Sequence, residues 1–425
     1  MAKKIYDNGW WYDHLRYITD AYIRASYRKM VFEGLDKIPA DGALIFAPNH
    51  CCALMDPLAM LIMAHEPMVF VARADIFANP LIAKVLTFLK IMPINRIRDG
   101  FRSVAHTAEA IEKSVEVLNN KVRFCILSEG THRPMHSLLP IGKGIARVAC
   151  GAAESQPDKV YIVPVGLEYG DYFRFRTTLQ VRVGDPIDVK ALLDSMPEAL
   201  ERERMDAIRS GVRDGLKENI VFIGYGEDYD AVWEMAKISS GGIPPLRLRE
   251  RFEANRAAVA RFDGNMDAAR ALFSRVRGFT ALRHSAGVSL ESLAKGVSPV
   301  RTVLRTLLGL ILLPLYMAWA AVSLPVWLPS EIVAGRLEDK AFKNSFRCGI
   351  LVFGWTLMLL IWAVVLFCCL KWYWALAALV AILPAPFMTY DAFNFARMTL
   401  SDWKALWRKE LRREYEELKK EIKKI

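Results

Sequence analysis

His50 and Asp56 lie six positions apart in the stretch Ala47-Pro48-Asn49-His50-Cys51-Cys52-Ala53-Leu54-Met55-Asp56-Pro57. An imidazole with a carboxylate partner can take a proton from a hydroxyl, the carboxylate holding the tautomer and the imidazolium that forms. The apolar run at 43–46 reads as a buried strand, and 58–63 reads as an apolar helix. The pair therefore falls at a strand-to-helix turn, a common place for chemistry. On spacing alone such a pair is more often structural than catalytic, so other residues have to decide.

Three further stretches bear on it. Arg96 follows Ile91-Met92-Pro93-Ile94-Asn95 and places a guanidinium fork at a strand end. Ser128-Glu129-Gly130-Thr131-His132-Arg133 closes the next strand with a carboxylate, a glycine, two hydroxyls, an imidazole and a guanidinium. Val163-Pro164-Val165-Gly166 closes another, and Lys143 adds a cation between the last two. His132 and His136 rank below His50 as bases, and His14, His65, His106 and His284 read as structural or surface residues. Cys51 and Cys52 raise a covalent thiol nucleophile as a minor route, buried cysteine being the commoner case.

The elements that must position these residues read as an α/β domain. Short apolar runs at 43–47, 68–72, 92–95, 122–127, 161–165 and 179–183 alternate with helical stripes. The expected core is a central mixed, largely parallel sheet flanked by helices. Asn79-Pro80 starts an apolar helix. The expected units are an amphipathic helix over 1–33, suited to the lipid interface or to packing on the domain's own core; the main domain, 34–222; a helical linker region, 223–300; a membrane region, 301–395; and a basic amphipathic tail, 396–425.

At 425 residues, 53% apolar and 24% charged, the chain exceeds one small core, and its apolar excess lies near the C-terminus. Residues 306–328 form one apolar stretch, interrupted by Pro314 and Pro325; 348–390 form a longer one broken by Lys371. Basic residues flank both stretches, and a re-entrant first segment plus one hairpin keeps them all on the cytoplasmic side, with a bacterial inner membrane as the expected location. A net charge of +11 then points to anionic lipid; no nucleic-acid motif is seen. Seven cysteines without ligand-like spacing indicate neither a disulfide framework nor a metal site. No cofactor is expected. The N-terminus leads into no apolar core and does not read as a signal peptide.

The ordered blocks over roughly 34–186 resemble the glycerolipid acyltransferase family of lysophosphatidic acid and glycerol-3-phosphate acyltransferases. Its four motifs correspond here to Asn49/His50/Asp56, Arg96, Glu129/Gly130/Thr131 and Val163/Pro164. The resemblance implies transfer of an acyl group from acyl-CoA or acyl-carrier protein to a hydroxyl of lysophosphatidic acid or glycerol 3-phosphate, at a membrane. His50 and Asp56 would be catalytic, and Asn49, Arg96, Glu129, Gly130, Thr131, Arg133 and Lys143 would bind substrate, Arg96 taking the phosphate. Two departures stand out: five residues rather than four separate His50 from Asp56, and Ser128 and His132 replace the usual Pro and Arg. A thioester or lysolipid hydrolase, an inactive membrane scaffold and a phospholipid-dependent transacylase remain alternatives.

Overall fold

A computed structural model describes residues 4–7, 9–64, 66–94, 103–155 and 159–425. Asn95 and Arg96 lie outside the described residues, as does His65. The chain divides into two compact units. The first takes in the chain through Arg24, Met30–Tyr172 and Leu179–Ile220; the second takes in Val221–Ile425 with the short segments Ala25–Lys29 and Phe173–Thr178.

The amphipathic helix expected within 1–33 ends early. Helix α1 (Trp10–Ala25) is followed by strand β1 (Tyr27–Glu33), a part of the sheet. Three β-branched or aromatic residues, Tyr27, Val31 and Phe32, fit that strand better than a continued helix. There follow β2 (Ala43–Pro48), α2 (Met55–Ala64), β3 (Met68–Arg73), α3 (Pro80–Phe88) and β4 (Ile91–Ile94). Asn79 caps α3 by accepting from the N–H groups of Leu81 and Ile82, with Pro80 at the first position. Next come α4 (Ser103–Asn119), β5 (Arg123–Cys125), α5 (Lys143–Ser155), β6 (Val160–Tyr169), β7 (Thr177–Val183), β8 (Ile187–Asp188), α6 (Val189–Asp194) and α7 (Glu201–Asn219).

The sheet order is β1-β7-β6-β2-β5-β3-β4, with β8 beside β6. Strands β4, β3, β5, β2 and β6 run parallel, and β7 and β8 run antiparallel to β6. All six residues of β2 are buried, as expected of a central parallel strand covered on both faces. Strand β3 separates β4 from β5, so the ends leading to Arg96 and to Glu129 are not on neighbouring strands.

The second unit is helical: α8 (Tyr229–Ser239), α9 (Leu248–Gly264), α10 (Met266–Ser285), α11 (Leu290–Ala294), α12 (Pro299–Arg336), α13 (Lys343–Ile350), α14 (Thr356–Cys369), α15 (Trp372–Ile382), α16 (Ala385–Trp407) and α17 (Lys409–Ile422). A π turn at Leu351–Trp355 joins α13 to α14. The prolines do not end α12, which runs for 38 residues through Pro314, Pro325 and Pro329. Two helices, Pro299–Arg336 and Lys340–Cys369, are long and apolar enough to cross a membrane; α15 and α16 together reach that length with a 43° bend.

The apolar stripe of the tail packs on its own unit. Leu411, Tyr415, Leu418 and Ile422 are buried, and α17 packs on α8 and α10. Arg275 of α10 reaches Glu414, Glu417 and Glu421 of α17 at 2.6, 2.9 and 2.7 Å. We expect Leu418→Ala to destabilise the protein by about 2–5 kcal/mol, the range for truncating a core leucine. Trp407→Ala, at an exposed position, should leave the melting temperature in detergent unchanged. Equal melting temperatures for both variants would show that the α17 stripe is not core.

Candidate active site

Strand register builds the site. Phe46 of β2 pairs with Cys125 of β5, so four residues further on His50 comes alongside Glu129. On the other side Pro48 pairs with Val165 of β6, and the Asn49 N–H donates to Val165 O at 3.3 Å. Three strand ends thus converge where β2 gives way to α2.

His50 Nδ1 lies 2.7 Å from Asp56 Oδ2. Donation from Nδ1 to the carboxylate leaves Nε2 as the basic nitrogen. Asp56 is wholly buried and well satisfied. Its Oδ2 also accepts from the N–H groups of Cys51 and Cys52, each at 2.8 Å, and its Oδ1 accepts from the Tyr169 hydroxyl at 2.7 Å. The fifth intervening residue is absorbed by backbone conformation: Ala53 takes φ 45°, in the left-handed region, and Asp56 then enters the first turn of α2. The longer spacing keeps the hydrogen bond.

Glu129 organises rather than faces the site. Its Oε1 accepts from the His50 N–H at 2.7 Å and its Oε2 from the Leu139 N–H at 2.6 Å. Burial pushes its carboxyl up, and these two amides oppose that shift. Gly130 takes φ 68°, a conformation that glycine adopts without penalty, and it and Thr131 are exposed at the loop tip. The Arg133 N–H donates to His50 O, while its guanidinium binds Ser137 Oγ and Leu138 O within the same loop. Lys143 is exposed at the start of α5, tied to this loop through Gly142 N–H to Ser128 O at 2.7 Å.

Asn49 turns its side chain into the fold. It is buried, its Oδ1 accepting from Leu167 N at 2.6 Å and its Nδ2 donating to Leu167 O at 3.2 Å. The side chain thereby imitates a strand neighbour and braces β2 against β6. Cys51 and Cys52 are buried too, and burial pushes both thiols up, away from the thiolate that nucleophilic attack requires. The His132 ring stands edge-on to His50, centroids 5.4 Å apart. His136 is buried, its Nδ1 3.1 Å from Glu168 Oε2.

Sequence reasoning missed Tyr169 and Leu167 because the run 161–165 was ended at Gly166. The strand in fact continues, and the alternation Val163, Val165, Leu167, Tyr169 was the available signal. Gly166 is required where it stands, since a Cβ there would collide with Asn219 O.

Tyr169→Phe removes one buried hydrogen bond to a carboxylate and should cost about 1.5–3 kcal/mol in unfolding free energy. Ala53→Gly should be neutral or stabilising, and Ala53→Val destabilising, because only glycine relaxes a positive φ. Chemical unfolding of the three variants checks both statements. A stabilised Ala53→Val protein would contradict the conformation assigned to this turn.

An acyltransferase family model matches residues 29–168, starting inside β1. The chain is similar to two yeast (Saccharomyces cerevisiae) proteins. Glycerol-3-phosphate O-acyltransferase 2 is 31% identical over 109 residues, 25% of this chain and 15% of that protein. Glycerol-3-phosphate O-acyltransferase 1 is 34% identical over 95 residues, 21% of this chain and 12% of that protein. The chain thus spans only a small part of the length of these relatives. Among solved structures, the 1-acyl-sn-glycerophosphate acyltransferase PlsC from Thermotoga maritima aligns with TM-score 0.35 and 20% identity, over 49% of this chain and 79% of that one. Residues 29–168 thus match an acyltransferase domain, and the relatives similar to part of this chain are glycerol-3-phosphate O-acyltransferases.

Proposed function

We propose that the protein transfers a fatty acyl group from a thioester, acyl-CoA or acyl-carrier protein, to a hydroxyl of lysophosphatidic acid or glycerol 3-phosphate. The observation that carries this reading is the His50–Asp56 contact, with the carboxylate fully buried and four donors upon it. His50 Nε2 takes the acceptor's hydroxyl proton as that oxygen attacks the thioester carbonyl. The C–S bond then breaks, and the leaving thiolate recovers the proton from the imidazolium. Asp56 holds the ring and stabilises its charged form. Arg96 and Lys143 are proposed to hold the acceptor phosphate, with Gly130 and Thr131 at the exposed loop tip beside the headgroup. The ties of Arg133 within its own loop favour a loop-holding role.

We further propose that the membrane region enters the bilayer by one hairpin, with the catalytic domain on the cytoplasmic face. Arg305 and Thr306 near one end of α12 bind Asp402 and Trp403. Near its other end, Glu331 pairs with Arg347, which also donates to Phe173 O, while Asn344 donates to Arg174 O. Among the described residues no helix of spanning length precedes Pro299. The loop at 173–178 and the helices leading into α12 therefore share one side, and both ends of α12 face it. A helix of 38 residues, roughly 57 Å at 1.5 Å per residue, would then lie along the membrane instead of crossing it. The hairpin turns at Lys371, where Trp372 and Trp374 are exposed and suited to the far interface.

Transfer assays with labelled acyl-CoA and acyl-carrier protein against both acceptors test the chemistry. His50→Ala and Asp56→Asn should each lower transfer at least about tenfold, or 1.4 kcal/mol of barrier. Unchanged rates would remove the pair from the mechanism, and fatty acid released without any acceptor would instead mark a hydrolase. For topology, Glu338→Cys and Lys371→Cys, each in a chain with Cys150, Cys368 and Cys369 changed to serine, should react with an impermeant thiol reagent from opposite sides of sealed vesicles. Labelling from the same side would refute the hairpin.

A further inference from the structure

Within the first unit, α3 turns its most apolar stripe outward. Leu81, Val85 and Phe88, at helical spacing, share one face; Leu81 is 72% and Val85 56% exposed, and no residue of α3 is buried. An ordinary surface helix does the reverse. Helix α1 behaves similarly, with Trp10, Trp11 and Tyr17 exposed and only Tyr12 and Ile23 buried. The two helices meet where Tyr12 stands edge-on to Phe88, centroids 6.2 Å apart. Buried Lys90, just past α3, locks this arrangement by donating to Ile5 O and Asp7 O, which precede α1.

We propose that the Leu81–Val85–Phe88 stripe, with the adjoining aromatic face of α1, docks into the headgroup–acyl boundary of a bilayer. Two observations select lipid over a protein partner. The exposed rings are tryptophan and tyrosine, with Arg24 and Lys84 exposed on the same helices; rings at headgroup level with cations reaching to phosphate are the pattern of a membrane interface. The same chain carries two helices of spanning length and a net charge of +11, so an anionic bilayer is the apolar phase at hand. At nine residues, roughly 14 Å, α3 is too short to cross a core of about 30 Å and can only lie in its boundary. The stripe would thereby hold the acyltransferase domain against the surface from which lipid substrates are drawn.

The test uses the full chain with Cys150, Cys368 and Cys369 changed to serine, the other four cysteines being buried. Spin labels are placed through Leu81→Cys, Val85→Cys or, as a solvent control, Arg202→Cys, whose native side chain is 86% exposed. The protein is reconstituted in vesicles of phosphatidylethanolamine and phosphatidylglycerol. Relaxation by oxygen relative to a water-soluble nickel complex should be several-fold higher at positions 81 and 85 than at 202. Equal ratios at all three positions would overturn the proposal. So would spin–spin coupling between labelled chains that disappears on dilution with unlabelled protein, which would identify a second copy as the occupant. The readout is independent of catalysis, so its failure would leave the acyl-transfer reading standing.

Discussion

The structure of the acyltransferase domain depends on satisfying one buried carboxylate. Asp56 has no exposed surface, and an ionised group so placed is tolerated only when hydrogen bonds replace its lost water. Its donors come from separate places: the Cys51 and Cys52 amides from the turn, the His50 ring from the end of β2, and the Tyr169 hydroxyl from the end of β6. The turn, the start of α2 and two strand ends must therefore all be in place together. Removing any one donor leaves the others around a carboxylate they cannot fully satisfy, so the His50 ring is oriented by the same contacts that close the core.

Register supplies the rest of the geometry. Because β2 lies between β5 and β6, two parallel pairings fix what its end can meet. Glu129 arrives beside His50 and ties the strand end to the following loop through two backbone amides, while the amide of Asn49 completes the join to Leu167. These polar residues do structural work at a place where strand pairing has run out and backbone donors need partners. Gly130, Thr131 and Lys143, by contrast, are exposed to solvent beside this join.

Much of this was legible in the sequence, and what was not has physical causes. The α/β pattern and the cap at Asn79-Pro80 are local signals, and the six strands read between 43 and 183 appear within a few residues of where they read. β1 did not read as a strand because the aromatic and basic residues after Ala25 continue the composition of α1, and composition carries no information on where a helix stops. Tyr169 lies beyond a glycine that reads as a strand terminus, although that glycine answers a distant backbone, Asn219. The His50–Asp56 contact could not be decided from spacing at all. An extra residue breaks such a pair or is absorbed by it, depending on one φ angle, and Ala53 at 45° absorbs it.

The two amphipathic surfaces show why periodicity alone cannot name the phase that covers a stripe. The α17 stripe and the α3 stripe both follow helical spacing, yet the first is core and the second faces outward. The difference lies in the charges alongside. Glu414, Glu417 and Glu421 recur at three- and four-residue steps on α17, and a row of carboxylates on one edge is poorly suited to anionic lipid. It is well suited to a guanidinium, which Arg275 supplies from α10. Helix α3 carries no acidic residue within Pro80–Phe88, only Lys84, so nothing along it opposes a phosphate surface. Reading the sign of the flanking charge together with the apolar period separates a helix that seeks its own protein from one that seeks a membrane.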